Sequence, residues 1–90
     1  MSLPNAAEID AAAAIVYQAM GPTPQFSWPL LNEALGAPAW IKHENHTPTG
    51  AFKVRGGLVY VHKLLLRQPG VKGIVSATRG NHGQSLALAA

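Results

Sequence analysis

From Ala39 to Ala90 the sequence switches repeatedly between two periodicities, and this alternation restricts the fold more than any other feature. Ala39-Trp40-Ile41-Lys42-His43-Glu44 alternates apolar and polar residues as a short strand does. Asn45 to Gly50 is a loop with a Thr-Pro-Thr-Gly turn. Phe52 to Leu66 reads as a helix, with Phe52, Leu58, Val59, Val61, Leu65 and Leu66 available for burial, and Gln68-Pro69-Gly70 ends it. Gly73-Ile74-Val75-Ser76 is the best candidate for a buried strand. After a tight Thr78-Arg79-Gly80 turn, a last helix begins near Asn81 and runs to Ala90. Strand, loop, helix, strand, loop, helix is the order of a parallel, helix-flanked α/β sheet.

Upstream, residues 1–22 form an expected helical segment. Asn5-Ala-Ala-Glu8 has the spacing of a capping box, and Ala11 to Met20 supplies good helix formers until Gly21-Pro22. Pro22, Pro24 and Pro29 then predict an extended or irregular run, and Leu30 to Leu35 one or two helical turns closed by Gly36. Two parallel strands would leave both sheet edges open. Ser85 to Ala90 also lacks the glycine, basic residue or proline that marks a helix end. Residues 23–90 are therefore expected to be the incomplete N-terminal part of a larger α/β domain.

Charge is divided unevenly along the chain. Residues 1–44 hold Glu8, Asp10, Glu33 and Glu44 against Lys42 alone, a net charge of −3. Residues 45–90 hold Lys53, Arg55, Lys63, Arg67, Lys72 and Arg79 and no acid, a net charge of +6. That half points to an anionic ligand, but its basic residues form no cluster and few aromatics accompany them, which counts against a nucleic-acid partner. No apolar run approaches the ~20 residues of a membrane span. Glu8 and Asp10 stand where a signal peptide carries positive charge, so a cytoplasmic protein is expected. With no cysteine, and with His43, His46, His62 and His82 lacking ligand spacing, no metal site is expected.

Two segments carry the chemistry. Thr47-Pro-Thr-Gly-Ala-Phe-Lys53 delivers a lysine to the first turn of a helix, where the helix dipole disfavours a cation. Such a lysine either faces an anion, works as a neutral amine in imine chemistry, or is simply solvated. Ser76-Ala-Thr78-Arg79-Gly80-Asn81-His82 runs from a strand through a glycine turn into a helix, whose free amides suit a carboxylate or phosphate. The alternative there is an ordinary helix start capped by Asn81.

Together the two segments resemble the pyridoxal-phosphate enzymes of the tryptophan-synthase-β type, known as fold type II. Within them the likeness is to threonine/serine dehydratases and serine racemase. The family's lysine motif reads Thr-Gly-Ser-Phe-Lys-x-Arg-Gly, and here Thr49-Gly50-Ala51-Phe52-Lys53-Val54-Arg55-Gly56. Its second motif reads Ser-Ser/Ala-Gly-Asn-His-Ala-Gln, and here Thr78-Arg79-Gly80-Asn81-His82-Gly83-Gln84. Glu44 and Thr23-Pro24 also fall where the family places a Lys-x-Glu strand and a Thr-Pro segment. The resemblance spans about residues 20–90.

The resemblance implies that Lys53 is the Schiff-base lysine for pyridoxal 5'-phosphate and the base that removes the substrate α-proton. It implies that Asn81 contacts the cofactor's phenolic oxygen, that Phe52 packs beside the ring, and that Thr78, Gly80, Asn81 and His82 form the loop receiving the substrate carboxylate. Ala51 replaces a serine, removing a hydroxyl near the cofactor. Arg79 replaces a small residue and offers a guanidinium fork to a second carboxylate, as on a hydroxyaspartate. The implied activity is β-elimination of a hydroxy amino acid such as L-threonine or L-serine to a 2-oxo acid and ammonia. A serine or hydroxyaspartate racemase or dehydratase, a threonine-synthase-like enzyme and a catalytically silent fragment are the alternatives. The family's glycine-rich phosphate loop has no counterpart in the sequence, so the remainder of the same polypeptide is expected to complete the site, in a homodimer.

Overall fold

A computed structural model describes residues 2–90. Helix α1 spans Ala6–Ala19 and starts as its sequence dictates. Asn5 Oδ1 accepts the Glu8 amide at 2.9 Å while Glu8 Oε2 accepts the Asn5 amide at 2.8 Å, a reciprocal capping box. Strand β1 (Gln25–Ser27) follows, then α2 (Pro29–Leu35) with proline at its first position. Strand β2 (Trp40–Lys42) leads into a single 3₁₀ turn at Glu44–His46. The long helix α3 (Lys53–Arg67) and the shorter α4 (Asn81–Ala89) complete the chain.

The sheet differs from the expected one. The strand expected over Ala39–Glu44 forms, but it pairs antiparallel with β1 in the register Gln25↔Lys42, Phe26↔Ile41, Ser27↔Trp40. The short α2 turns the chain back on itself, and β1 lies between Pro24 and Pro29, so all three of its residues keep the N–H a ladder needs. Gly73–Ser76, expected as a buried parallel strand, forms no ladder, and Val75 is fully exposed. A strand exists only beside a hydrogen-bonded neighbour, and β2 pairs only with β1 among the described residues.

The core lies where α1 crosses α3. Val16 and Met20 pack on Val54, with Leu58 and Val59 partly buried around them. Of the residues expected to be buried on α3, Val61 is, while Phe52, Leu65 and Leu66 are 64%, 47% and 73% exposed. The buried stripe of α3 is Val54, Gly57 and Val61, spaced i, i+3, i+7 on one face. Helix α4 packs on that stripe closely enough that Ser85 is fully buried beside Gly57. This contact brings the starts of α3 and α4 to a common cleft.

Candidate active site

Lys53 is the first residue of α3, and its position is fixed from three directions. The turn before it is held by Thr47, which is buried. The Thr47 hydroxyl donates to the Ala51 carbonyl at 2.7 Å and accepts the Ala51 amide at 3.0 Å. Two residues beyond Lys53, the Arg55 fork grips Glu44 through Nε–Oε2 at 2.7 Å and Nη2–Oε1 at 3.0 Å. Arg55 Nη1 also donates to the Tyr17 hydroxyl at 3.2 Å, and the Thr23 hydroxyl donates to Glu44. One network thus ties α1, the segment before β1, the turn after β2 and α3 together. The Arg55 guanidinium holds the Glu44 carboxyl well below its ordinary value, at about 2, and Glu44 in turn raises Arg55. From the far side, the buried Ser85 hydroxyl donates to the Lys53 carbonyl at 2.7 Å.

The start of α4 is built differently from the expectation. Asn81 is not its cap: Gly80 is, at φ 134°, a backbone conformation that side chains rarely adopt. Thr78 supplies the cap instead. Its Oγ1 accepts the Gly80 amide at 3.0 Å and the Gly83 amide at 2.9 Å. Because Thr78 satisfies the third amide of the helix, the Asn81 side chain is left without a hydrogen bond, and the amides of Asn81 and His82 have no partner among the described residues.

Both structures open onto Lys53. A cleft of about 560 Å³ is lined by Lys53, Ala77, Thr78, Arg79, Gly80, Asn81 and His82. A second, more apolar cleft of about 520 Å³ runs beside it along Phe52, Gly57, Tyr60, Ile74 and Leu86 and shares Lys53 and His82. Phe52, Lys53, Thr78, Arg79, Gly80, Asn81 and His82, the site residues expected from the sequence, therefore line two clefts that share Lys53 and His82, whereas Ala51 lines neither. No acid lines either cleft, and neither Lys53 nor Arg79 has a salt bridge among the described residues. Thr49 Oγ1, four residues before Lys53, is buried without a hydrogen-bond partner.

This donor set suits a ligand that carries a carbonyl and anionic groups. It offers an unpaired amine, a guanidinium, two free amides and the Asn81 side chain. The positioning residues Thr47 and Ser85 were overlooked in the sequence, and Glu44 and Arg55 were placed by its motifs but given no role. Glu44 carried a usable signal, since it is the last acid in the chain and the only one beside the lysine motif.

Residues 16–90 match a family described as pyridoxal-phosphate dependent enzyme. The L-threo-3-hydroxyaspartate ammonia-lyase of Saccharomyces cerevisiae is 34% identical over 90 residues, covering 100% of this chain and 27% of that protein. A biosynthetic, chloroplastic threonine dehydratase of Solanum lycopersicum is 39% identical over 75 residues, 83% of this chain and 12% of its own. Human serine racemase is 35% identical over 88 residues, 93% of this chain and 25% of its own. The chain thus spans about a quarter or less of these relatives.

Proposed function

The chain belongs to the pyridoxal-phosphate dependent enzyme family, and on that premise we propose that it is the lysine-bearing part of a longer polypeptide that eliminates water from a hydroxy amino acid, the released enamine then taking up water to give a 2-oxo acid and ammonia. The observation that carries this reading is the single cleft shared by Lys53 and the Thr78–His82 loop. Lys53 would hold the cofactor's carbonyl carbon and Asn81 its phenolic oxygen, with Phe52 beside the ring. Residues 23–90 form the incomplete cofactor-binding domain, and the intact protein is a homodimer.

Bound pyridoxal phosphate supplies the electron sink that stabilises negative charge at the substrate α-carbon. The chain's own residues supply position and proton transfer. The amides of Asn81 and His82, at the positive end of α4, receive the substrate carboxylate. With the carboxylate held in the cleft that Lys53 also lines, Lys53 Nζ would be the base for the α-proton. Thr47, Arg55 and Ser85 keep the lysine turn from drifting, and an error of about 1 Å there would cost roughly 100-fold in rate.

Arg79 favours a dicarboxylic substrate. It lines the Lys53 cleft, and residues 45–90 contain no acid to neutralise it. A relative that aligns with the whole chain is named for a hydroxyaspartate. The test uses the full-length protein with L-threonine, L-serine and L-threo-3-hydroxyaspartate. We expect 2-oxo acid and ammonia, abolished by Lys53→Ala, with borohydride fixing the cofactor on the peptide that contains Lys53. Formation of the opposite enantiomer without ammonia would make the protein a racemase instead. Arg79→Ala should reduce kcat/KM for hydroxyaspartate about 100-fold and for threonine only a few-fold, as loss of a charge-assisted fork predicts. Equal losses on both substrates would remove the dicarboxylate reading and leave the elimination intact.

A further inference from the structure

We propose that Thr78 and Gly83 are a mutually dependent pair of positioning residues, with the threonine shaping the carboxylate loop from behind and the glycine making room for its methyl group. This rests on the elimination reading for its effect on substrate, but its geometry stands independently. A hydroxyl oxygen has two acceptor sites, and Thr78 Oγ1 gives them to the Gly80 and Gly83 amides at 3.0 and 2.9 Å. A carboxylate needs donors, and only the hydroxyl proton of Thr78 is left to offer. The threonine thus acts chiefly through the backbone it holds, keeping Gly80 at φ 134° and leaving the Asn81 and His82 amides unpartnered.

The methyl of the same side chain determines what can stand at position 83. A β-carbon on residue 83 would lie 2.8 Å from Thr78 Cγ2, closer than real contacts come, but 3.4 Å from Oγ1, an ordinary distance. The obstacle is therefore the methyl, not the hydroxyl that makes the cap. A serine at 78 would keep the cap and admit an alanine at 83, whereas threonine requires glycine. The sequence departs from the Ser…Ala motif at both of these positions together.

The test is a double-mutant cycle in the full-length, cofactor-loaded protein, comparing Thr78→Ser, Gly83→Ala and the double variant by thermal midpoint and by KM and kcat. Helix propensity alone makes Gly83→Ala stabilising, so the sign of its effect is diagnostic. We expect Gly83→Ala to lower the midpoint and raise KM for the hydroxy amino acid about 10-fold with a smaller change in kcat. Thr78→Ser sets the baseline for the cycle, and the double variant should recover the midpoint of that single variant and a KM within about 3-fold of it. Thr78→Val, which keeps the methyl position and loses the acceptor, should raise KM without rescue by any change at 83. A Gly83→Ala protein as stable as the parent, or additive losses in the double variant, would overturn the pairing. If Gly83→Ala does not fold, folding of the double variant supports the pair and its failure refutes it. A parent protein inactive on every hydroxy amino acid would sink the elimination reading, while the midpoints would still decide the pair.

Discussion

Glu44 and Arg55 show how much a single polar pair contributes when its geometry is closed. An exposed ion pair contributes about 0–1 kcal/mol. Here both oxygens of Glu44 are engaged by the guanidinium, Thr23 donates a further bond, and the side chains are only 22% and 24% exposed. Hydrogen bonds to charged groups in such settings contribute on the order of 2 kcal/mol. Arg55→Lys retains the charge and loses the fork, so most of that stabilisation should disappear from urea unfolding of the full-length protein. The pH dependence has a definite sign. The Glu44 carboxyl is held at about 2 against an ordinary 4.5, so its contribution is complete above about 4.5 and is lost as pH falls toward 2. The stability gap between the parent and Glu44→Gln should therefore narrow across that window, and a gap unchanged from neutral pH to about 2 would contradict the pairing. The sequence placed Glu44 near the lysine motif but gave Arg55 no role, because the two meet across a loop that only the folded turn closes.

At the scale of elements, the contact between α3 and α4 sets where Lys53 stands relative to its loop. Gly57 makes this contact possible: a β-carbon there would overlap the Ser85 hydroxyl and approach the Ser85 carbonyl oxygen at 3.1 Å. The hydroxyl could rotate away, but the carbonyl is part of helix α4 and cannot. Gly57→Ala should therefore cost about 1–3 kcal/mol as an overpacked seam. Ser85→Ala removes one neutral hydrogen bond, and should cost about 1 kcal/mol. Unfolding midpoints in the reverse order would mean that α4 does not lie on α3 as described. The helices were legible in the sequence because their signals are local: the Asn5–Glu8 box, the Gly21-Pro22 stop, the apolar runs of α3 and α4. Two features were not. Asn81 has the right chemistry for a cap, but Thr78, reaching forward over five residues, takes the Gly83 amide first. The stripe Val54-Gly57-Val61 was obscured because a glycine, which carries no hydrophobic signal, occupies its middle.

Across the whole molecule, the elements form a chain of pairwise contacts rather than a shared interior. The main contacts are α1 with α3, α3 with α4, and β1 with β2. The radius of gyration is 16.1 Å, whereas a compact domain of this length has about 12 Å. Phe26, Trp28, Trp40, Leu30, Leu66 and Val75 are all substantially exposed, against a buried apolar set, among the described residues, of Val16, Met20, Val54, Val61 and Leu86. That core is too small to offset the ordering of the backbone at roughly 1–2 kcal/mol per residue. The 90-residue chain studied alone should therefore keep helical far-ultraviolet dichroism, bind a hydrophobic dye, and lose structure gradually in urea rather than in one cooperative step. It should bind pyridoxal phosphate weakly and release no ammonia from any hydroxy amino acid, because Lys53 and the loop proposed to receive the carboxylate are present but held on an unsupported scaffold. The α/β order of the sequence expects this shortfall too: Gly73–Ser76 has the composition of a buried strand yet no neighbour to pair with among the described residues. A sharp two-state transition in the isolated chain, with stoichiometric cofactor bound at Lys53, would show that these contacts suffice and that the active site does not depend on further structure.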